Sequence, residues 1–268
     1  MMKNILAGHT NSYHTYGLDE SLAGIAQAGY KYVELSAVRG WTEHIPLEAS
    51  ETQLDEIKAK LDGAGLKVAS LSGHSDLTTA AGVVDGKKAV DLTQKFGVTI
   101  MNTAIGGHYS EDEDKGAFMG HIHDLADYAA GRGITLALEI HGDIMASGQL
   151  SIPLIKEINR DNVRINYDTA NCIFYGNAEP IDDLRAAVPY MAHIHLKDKI
   201  GGQGEWNFPA PGEGRLEFST ILKILEEEGY NGPTSVEVEF SGEPWPPLEE
   251  VNRAMKSAYD HLQSLGLA

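Results

Sequence analysis

Three observations predict a single-domain α/β protein of the (β/α)8 barrel class. Short apolar runs alternate along the whole chain with longer segments of helical period. Breaks bearing Gly or Asp separate one from the next. The apolar runs number eight within 268 residues, which describes one closed barrel better than an open doubly wound sheet. One domain over residues 1–268 is expected, because no repeat, low-complexity tract or linker interrupts the alternation.

Taken in order, the expected strands are NILAGH (4–9), YKYVELS (30–36), KVASLS (67–72), TIMNTAI (99–105), ITLALEI (134–140), VRINYD (163–168), MAHIHL (191–196) and TSVEVEF (234–240). Between them, ETQLDEIKAKLDGAG (51–65), KKAVDLTQKFG (87–97) and STILKILEEEGY (219–230) carry Leu, Ile and Val at helical spacing with Gly near the stop. LEEVNRAMKSAYDHLQSLG (248–266) reads as the helix that closes the ring after strand eight. Strict alternation implies parallel strands joined by right-handed crossovers. The least regular stretch is GGQGEWNFPAPGEGR (201–215), a loop after strand seven that is expected to overhang the face where barrel enzymes place their sites.

Composition narrows the partners. With 42% hydrophobic and 22% charged residues the chain is globular, and a net charge of −18 repels nucleic acid and anionic membrane surfaces. No apolar run is long enough to span a bilayer, and MMKNILAGHT lacks the apolar core of a signal peptide. The one cysteine, Cys172, excludes an internal disulfide and suits a reducing compartment, so a cytoplasmic location is expected.

In a barrel, the carboxyl ends of the strands converge on one mouth. Strand five ends in Glu139, strand six in Asp168, strand seven carries His195, and strand eight carries Glu237 and Glu239. Taken singly, each carboxylate could be a solvated strand end or a helix N-cap, Asp168 above all. Together, three carboxylates and one imidazole would repel one another unless a cation sat among them. Oxygen-rich ligation with one His favours Mn²⁺, Mg²⁺ or Co²⁺ over a thiolate zinc site.

LALEIHGD around Glu139, NYDTAN around Asp168, HIHLKD around His195 and GYNGPTSVEVEF around Glu237 resemble the xylose isomerase-like barrel superfamily of sugar isomerases, sugar-phosphate epimerases and related dehydratases. The resemblance covers nearly the whole chain. It implies one divalent ion, Mn²⁺ foremost, on Glu139, Asp168, His195 and Glu237. Glu237 is preferred to Glu239 for its distance from the Gly229–Gly232 turn. The resemblance also implies that Glu139 and Glu237 remove and return a substrate proton, with an enediolate between. His193, deeper on the face of His195, is expected to be a hydrogen-bonded core residue, while Lys197 and Asp198 reach the mouth.

Two positions depart from the ketose 3-epimerase pattern: Asn171 stands where those enzymes have a substrate-holding His, and Gly201 where they have an Arg. Substrate handling must therefore differ. Asn171 offers a donor and an acceptor for a hydroxyl, and Lys197 a cation. His9, His74 and His141 are either polar lining or structural, and Trp206 either covers a sugar face or packs the loop.

The function expected is a metal-dependent sugar isomerase or epimerase, with a β-eliminating dehydratase or lyase on a keto-sugar or keto-glycoside as the alternative. A noncatalytic sugar-binding subunit is disfavoured by the paired glutamates, and an abasic-site nuclease by the charge. The partner is a small sugar. Barrels of this family often form homo-oligomers, though no stretch here predicts an interface.

Overall fold

The computed structural model describes residues 5–106, 112–240 and 244–267. Eight parallel strands close into a barrel in sequence order: β1 (Leu6–His9), β2 (Tyr32–Ser36), β3 (Lys67–Ser72), β4 (Ile100–Thr103), β5 (Thr135–Glu139), β6 (Val163–Asp168), β7 (Met191–Leu196) and β8 (Thr234–Val236). The ring closes where Leu6, Ala7 and Gly8 pair with Thr234, Ser235 and Val236. Asn4 and Phe240, expected at strand ends, fall differently: Asn4 lies outside the described residues, and Phe240 lies beyond β8.

The last strand is shorter than the apolar run that announces it. Its neighbour β1 ends at His9, where the chain turns into a 3-10 turn at Thr10–Tyr13, so residues past Val236 lose their partner on that side, although the Glu237 amide still donates to the Leu196 carbonyl of β7 at 3.3 Å. The Val238 amide donates instead to the Ser12 hydroxyl at 2.9 Å. Glu237 and Glu239 thus sit just above the sheet, at the rim.

Helices α1 (Leu18–Ala28), α2 (Glu51–Ala64), α3 (Ala80–Lys95), α4 (Asp112–Ala130), α5 (Gly148–Ile158), α6 (Asn171–Phe174), α7 (Pro180–Ala187), α8 (Phe218–Glu227) and α9 (Leu248–Ser264) fill the connections. Local chemistry sets their ends. Ser50 and Gln53 form a reciprocal capping box at the start of α2, and Gly65 takes the left-handed conformation (φ +68°) that stops it. Helix α3 begins at Ala80, before the segment expected from 87, because Thr79 caps it by accepting the Gly82 amide at 3.0 Å.

Alternation along the strands sorts two environments. Val33, Leu35, Leu71, Leu138, Ile165, Ile194 and Val236 join the buried apolar cluster that includes the helices. The intervening residues fill the barrel itself and are mostly polar. His193 receives or donates hydrogen bonds at 3.0 Å with both Ser70 and Asn166, and Asn102 donates to Glu34 across the barrel at 2.5 Å. His193 is therefore the core histidine expected, and burial pushes its pKa down to about 3, keeping it neutral. A barrel filled by such polar layers departs from the usual filling of branched aliphatic residues.

Candidate metal centre at the barrel mouth

Above the polar core lies the set at the strand ends. Glu139 and Asp168 are the last residues of β5 and β6, His195 is the fifth residue of β7, and Glu237 follows β8 directly. One ligand atom from each lies within 4.8 Å of the other three, and all four residues are buried. The His195 Nδ1 stands 3.7 Å from Glu139 and 3.6 Å from Glu237. Its Nε2 faces the Glu34 carboxylate at 3.2 Å; burial opposes a charge on the ring, but Glu34, Glu139 and Glu237 raise its pKa well above the usual value, so a cation bound here would take the place of the Nδ1 proton while Nε2–H stays on Glu34.

Electrostatics expose what the cluster lacks. Burial opposes the charge on Glu139, yet His195 and His74 hold its pKa well below the usual range; Lys197, His195 and His9 do the same for Glu237. Asp168 fares otherwise: burial, with Glu139 and Glu237 beside it, outweighs the opposing Lys197 and His195 and pushes it up to about 7. The Asp168 Oδ1 accepts the Ala170 and Asn171 amides at 2.8 Å each, whereas Oδ2 is buried with no hydrogen-bond partner. An orphaned carboxylate oxygen beside two other carboxylates and an imidazole nitrogen is a donor set that fits a divalent cation.

The two glutamates are held alike. Glu139 accepts the Asn171 side-chain amide at 3.1 Å and faces His74 Nε2 at 3.1 Å. Glu237 accepts the Asn11 amide at 2.9 Å and faces His9 Nδ1 at 3.2 Å. Each carboxylate thus has one amide and one imidazole fixing its orientation.

A cavity of about 340 Å³ opens over the set, with His9, His74, His141, Lys197 and Trp206 in its lining beside Glu139 and Glu237. His74, Glu139, His141 and Val38 also line a second cavity of about 360 Å³ that runs on towards Arg39, Asp76 and Asp143. His141 stands at the rim with its Nε2 3.1 Å from the Tyr175 hydroxyl. Trp206 brings the 201–215 loop over the mouth, its indole donating to the Phe240 carbonyl at 3.3 Å. Asn171 lies beneath, its amide spent on Glu139 and the Ile140 carbonyl, which makes it a holder of Glu139.

Asp198 does not reach the mouth as expected. Both its oxygens accept backbone amides of the loop that follows, so its carboxylate is turned away from the cavity floor. Lys197 does reach it, its ammonium 3.4 Å from Glu237, 3.8 Å from Asp168 and bonded to Glu239. Three participants escape sequence reasoning: Glu34, Asn11 and Trp41. Only Glu34 left a signal, a carboxylate between Val33 and Leu35 in a buried strand. Asn11 sits on the irregular turn after β1, and accepts from Trp41 at 3.0 Å.

A closed parallel barrel whose titratable side chains gather at the carboxyl ends of its strands has the layout of the (β/α)8 enzymes. Residues 22–264 match the family described as the xylose isomerase-like TIM barrel, and the chain belongs to it. An L-ribulose 3-epimerase of Methylomonas sp. is 26% identical over 243 residues, covering 85% of this chain and 80% of its own. An L-ribulose-5-phosphate 3-epimerase of Salmonella paratyphi B is 25% identical over 253 residues, with 89% and 88% covered. In fold, a xylose isomerase-like TIM barrel protein from Mycobacterium smegmatis in complex with magnesium superposes with a TM-score of 0.79 at 18% identity over 98% of each chain.

Proposed function

We propose that this chain is a divalent-metal-dependent sugar epimerase acting on a keto-sugar, with Glu139, Asp168, His195 and Glu237 as ligands and Glu139 and Glu237 as the acid–base pair. The observation that carries the reading is the matched setting of the two glutamates: each is a buried carboxylate oriented by one Asn and one His. Inverting a carbon needs a base on one face and an acid on the other, at comparable basicity. Two like carboxylates supply that, and the epimerase relatives support it.

A divalent ion on these donors, Mn²⁺ before Mg²⁺ or Co²⁺, supplies Lewis acidity that makes the hydrogen beside a carbonyl easier to remove. The rest falls to the chain. One glutamate takes that proton, the other, first protonated from solvent, delivers its proton to the opposite face, and the first then releases the abstracted proton to solvent; Asn171 and Asn11 keep each carboxylate aimed while the protons move. Trp206 and the loop behind it shield the mouth from water.

Elimination is the second reading, favoured by the Tyr175–His141 pair at the rim, which could protonate a leaving group. The two separate cleanly. With Mn²⁺ and keto-sugars in deuterium oxide, epimerisation yields labelled sugar of unchanged composition. Glu237→Gln is expected to retain its circular dichroism and lose at least about 100-fold in turnover, the usual worth of a general base. Full activity in that variant, or release of water or an alcohol by the wild type, would sink the reading.

A further inference from the structure

Whether the sugar carries a charge is written into the loop after β7. In (β/α)8 enzymes phosphate groups commonly sit on the loops after strands seven and eight, where backbone N–H groups converge. Such a convergence exists here. The amides of Lys199, Gly212, Gly214 and Leu216 point at one carboxylate, that of Asp198, at 2.7, 2.9, 2.8 and 3.1 Å. Asp198 is fully buried, and a Cβ on Gly214 would lie 2.3 Å from its Oδ1, so the loop is wrapped around an anion that belongs to the chain. Lys199 is equally committed, its ammonium 2.5 Å from the Ile200 and Glu205 carbonyl oxygens.

The basic groups facing the two cavities are committed as well. Among the described residues the Lys and Arg side chains there are Lys197 and Arg39, and of the imidazoles His9 faces Glu237 at 3.2 Å, His74 faces Glu139 at 3.1 Å and His141 meets the Tyr175 hydroxyl at 3.1 Å. Lys197 is bonded to Glu239 and lies beside Glu237 and Asp168; Arg39 donates to Asp85 at 2.8 Å and to Glu48 at 2.5 Å. Acids, by contrast, face the space from several sides: Glu139, Glu237 and Glu239 in one cavity, Asp76 and Asp143 in the other. A divalent ion on the four donors is already matched by their three carboxylates. A phosphate entering here would shed its water without gaining a cation. Two half-exposed indoles, Trp41 and Trp206, line the same cavity; one face of Trp41 stacks on His14 at 3.7 Å, and the apolar indole surface that remains suits the C–H face of a sugar ring.

From this arrangement we infer that the mouth takes an uncharged keto-sugar and rejects sugar phosphates and sugar acids. The inference rests on the proposed function in assuming a keto-sugar at all, and it selects between the free and phosphorylated substrates of the two relatives. The test pairs free keto-pentoses and keto-hexoses, L-ribulose among them, with their terminal phosphate esters on the Mn²⁺-supplied full-length protein. Binding is read by tryptophan fluorescence, through Trp41 and Trp206, and turnover by solvent deuterium. The expected result is a dissociation constant for at least one free sugar some tenfold or more below that of its ester, a difference of about 1.4 kcal/mol. Esters that bind as tightly as their free sugars, or better, overturn the inference, as does a panel in which nothing binds. Free sugar that binds but takes up no deuterium leaves the inference standing and removes the epimerase reading instead.

Discussion

Asp168 is the side chain on which the metal assignment turns, because its environment serves it poorly without a cation. Its Oδ1 has a structural task, capping α6 through the Ala170 and Asn171 amides, while Oδ2 is buried without a hydrogen bond among other acids, with the Lys197 ammonium no nearer than 3.8 Å. Asp168→Asn keeps the capping oxygen and removes the charge. In chelated protein the variant is expected to melt at or above the wild-type temperature, by roughly 2–4 °C for each kcal/mol of relieved repulsion in a chain of this size. With Mn²⁺ added the order should reverse. A variant less stable than wild type under both conditions would show that the carboxylate is stabilising by itself and needs no ion. Glu139, Asp168 and His195 were legible as candidate site residues because a period of two and strand-end placement single them out without knowing the fold in detail. Choosing Glu237 over Glu239 needed the family resemblance, since both lie on one face of the same run. Asn11 and Trp41 were not legible: they reach the site from irregular chain after β1 and β2, where no periodicity fixes the direction of a side chain.

Elements matter to this site through the loops they hold at the mouth. The loop after β3 carries His74 and Asp76 into the cavity wall and is pinned against the first turn of α3, where a Cβ on Gly82 would stand 1.8 Å from the Asp76 carbonyl oxygen. Helix propensity alone predicts that Gly82→Ala stabilises by about 1 kcal/mol. Close packing predicts the opposite, a loss of about 1–3 kcal/mol as the loop is displaced. We expect the second, and thermal melting reads the sign; a higher melting temperature in the variant would mean that the contact is slack and His74 is not held from this side. The same scale shows where sequence reading of the fold stops. All eight strands and the helices beginning at 51, 218 and 248 follow from hydrophobic period, yet the end of β8 and the start of α3 do not. Both are set by tertiary partners: the loss of β1 as a neighbour after His9, and the Thr79 cap. Helices α6 and α7 are short segments between β6 and β7, too brief for their period to announce them.

Across the whole molecule a net charge of −18 makes any cation stabilising to some degree, so a metal site must be told apart from general screening. The distinction is quantitative. A ligand that binds only the folded chain stabilises it by about 2.7 kcal/mol at a hundred times its dissociation constant, which for a chain this long corresponds to roughly 5–10 °C in melting temperature. Screening acts on exposed pairs and saturates with ionic strength, whatever the ion's identity. Micromolar to millimolar Mn²⁺ is therefore expected to raise the melting temperature by several degrees in a background of salt high enough to screen the surface, and chelator to remove the effect. His195→Gln changes a net charge of −18 by at most one, so screening predicts an undiminished Mn²⁺ shift in that variant. Loss of the shift places the ion at the strand ends; its persistence would move the ion elsewhere on an acidic surface and take the chemistry proposed for the mouth with it.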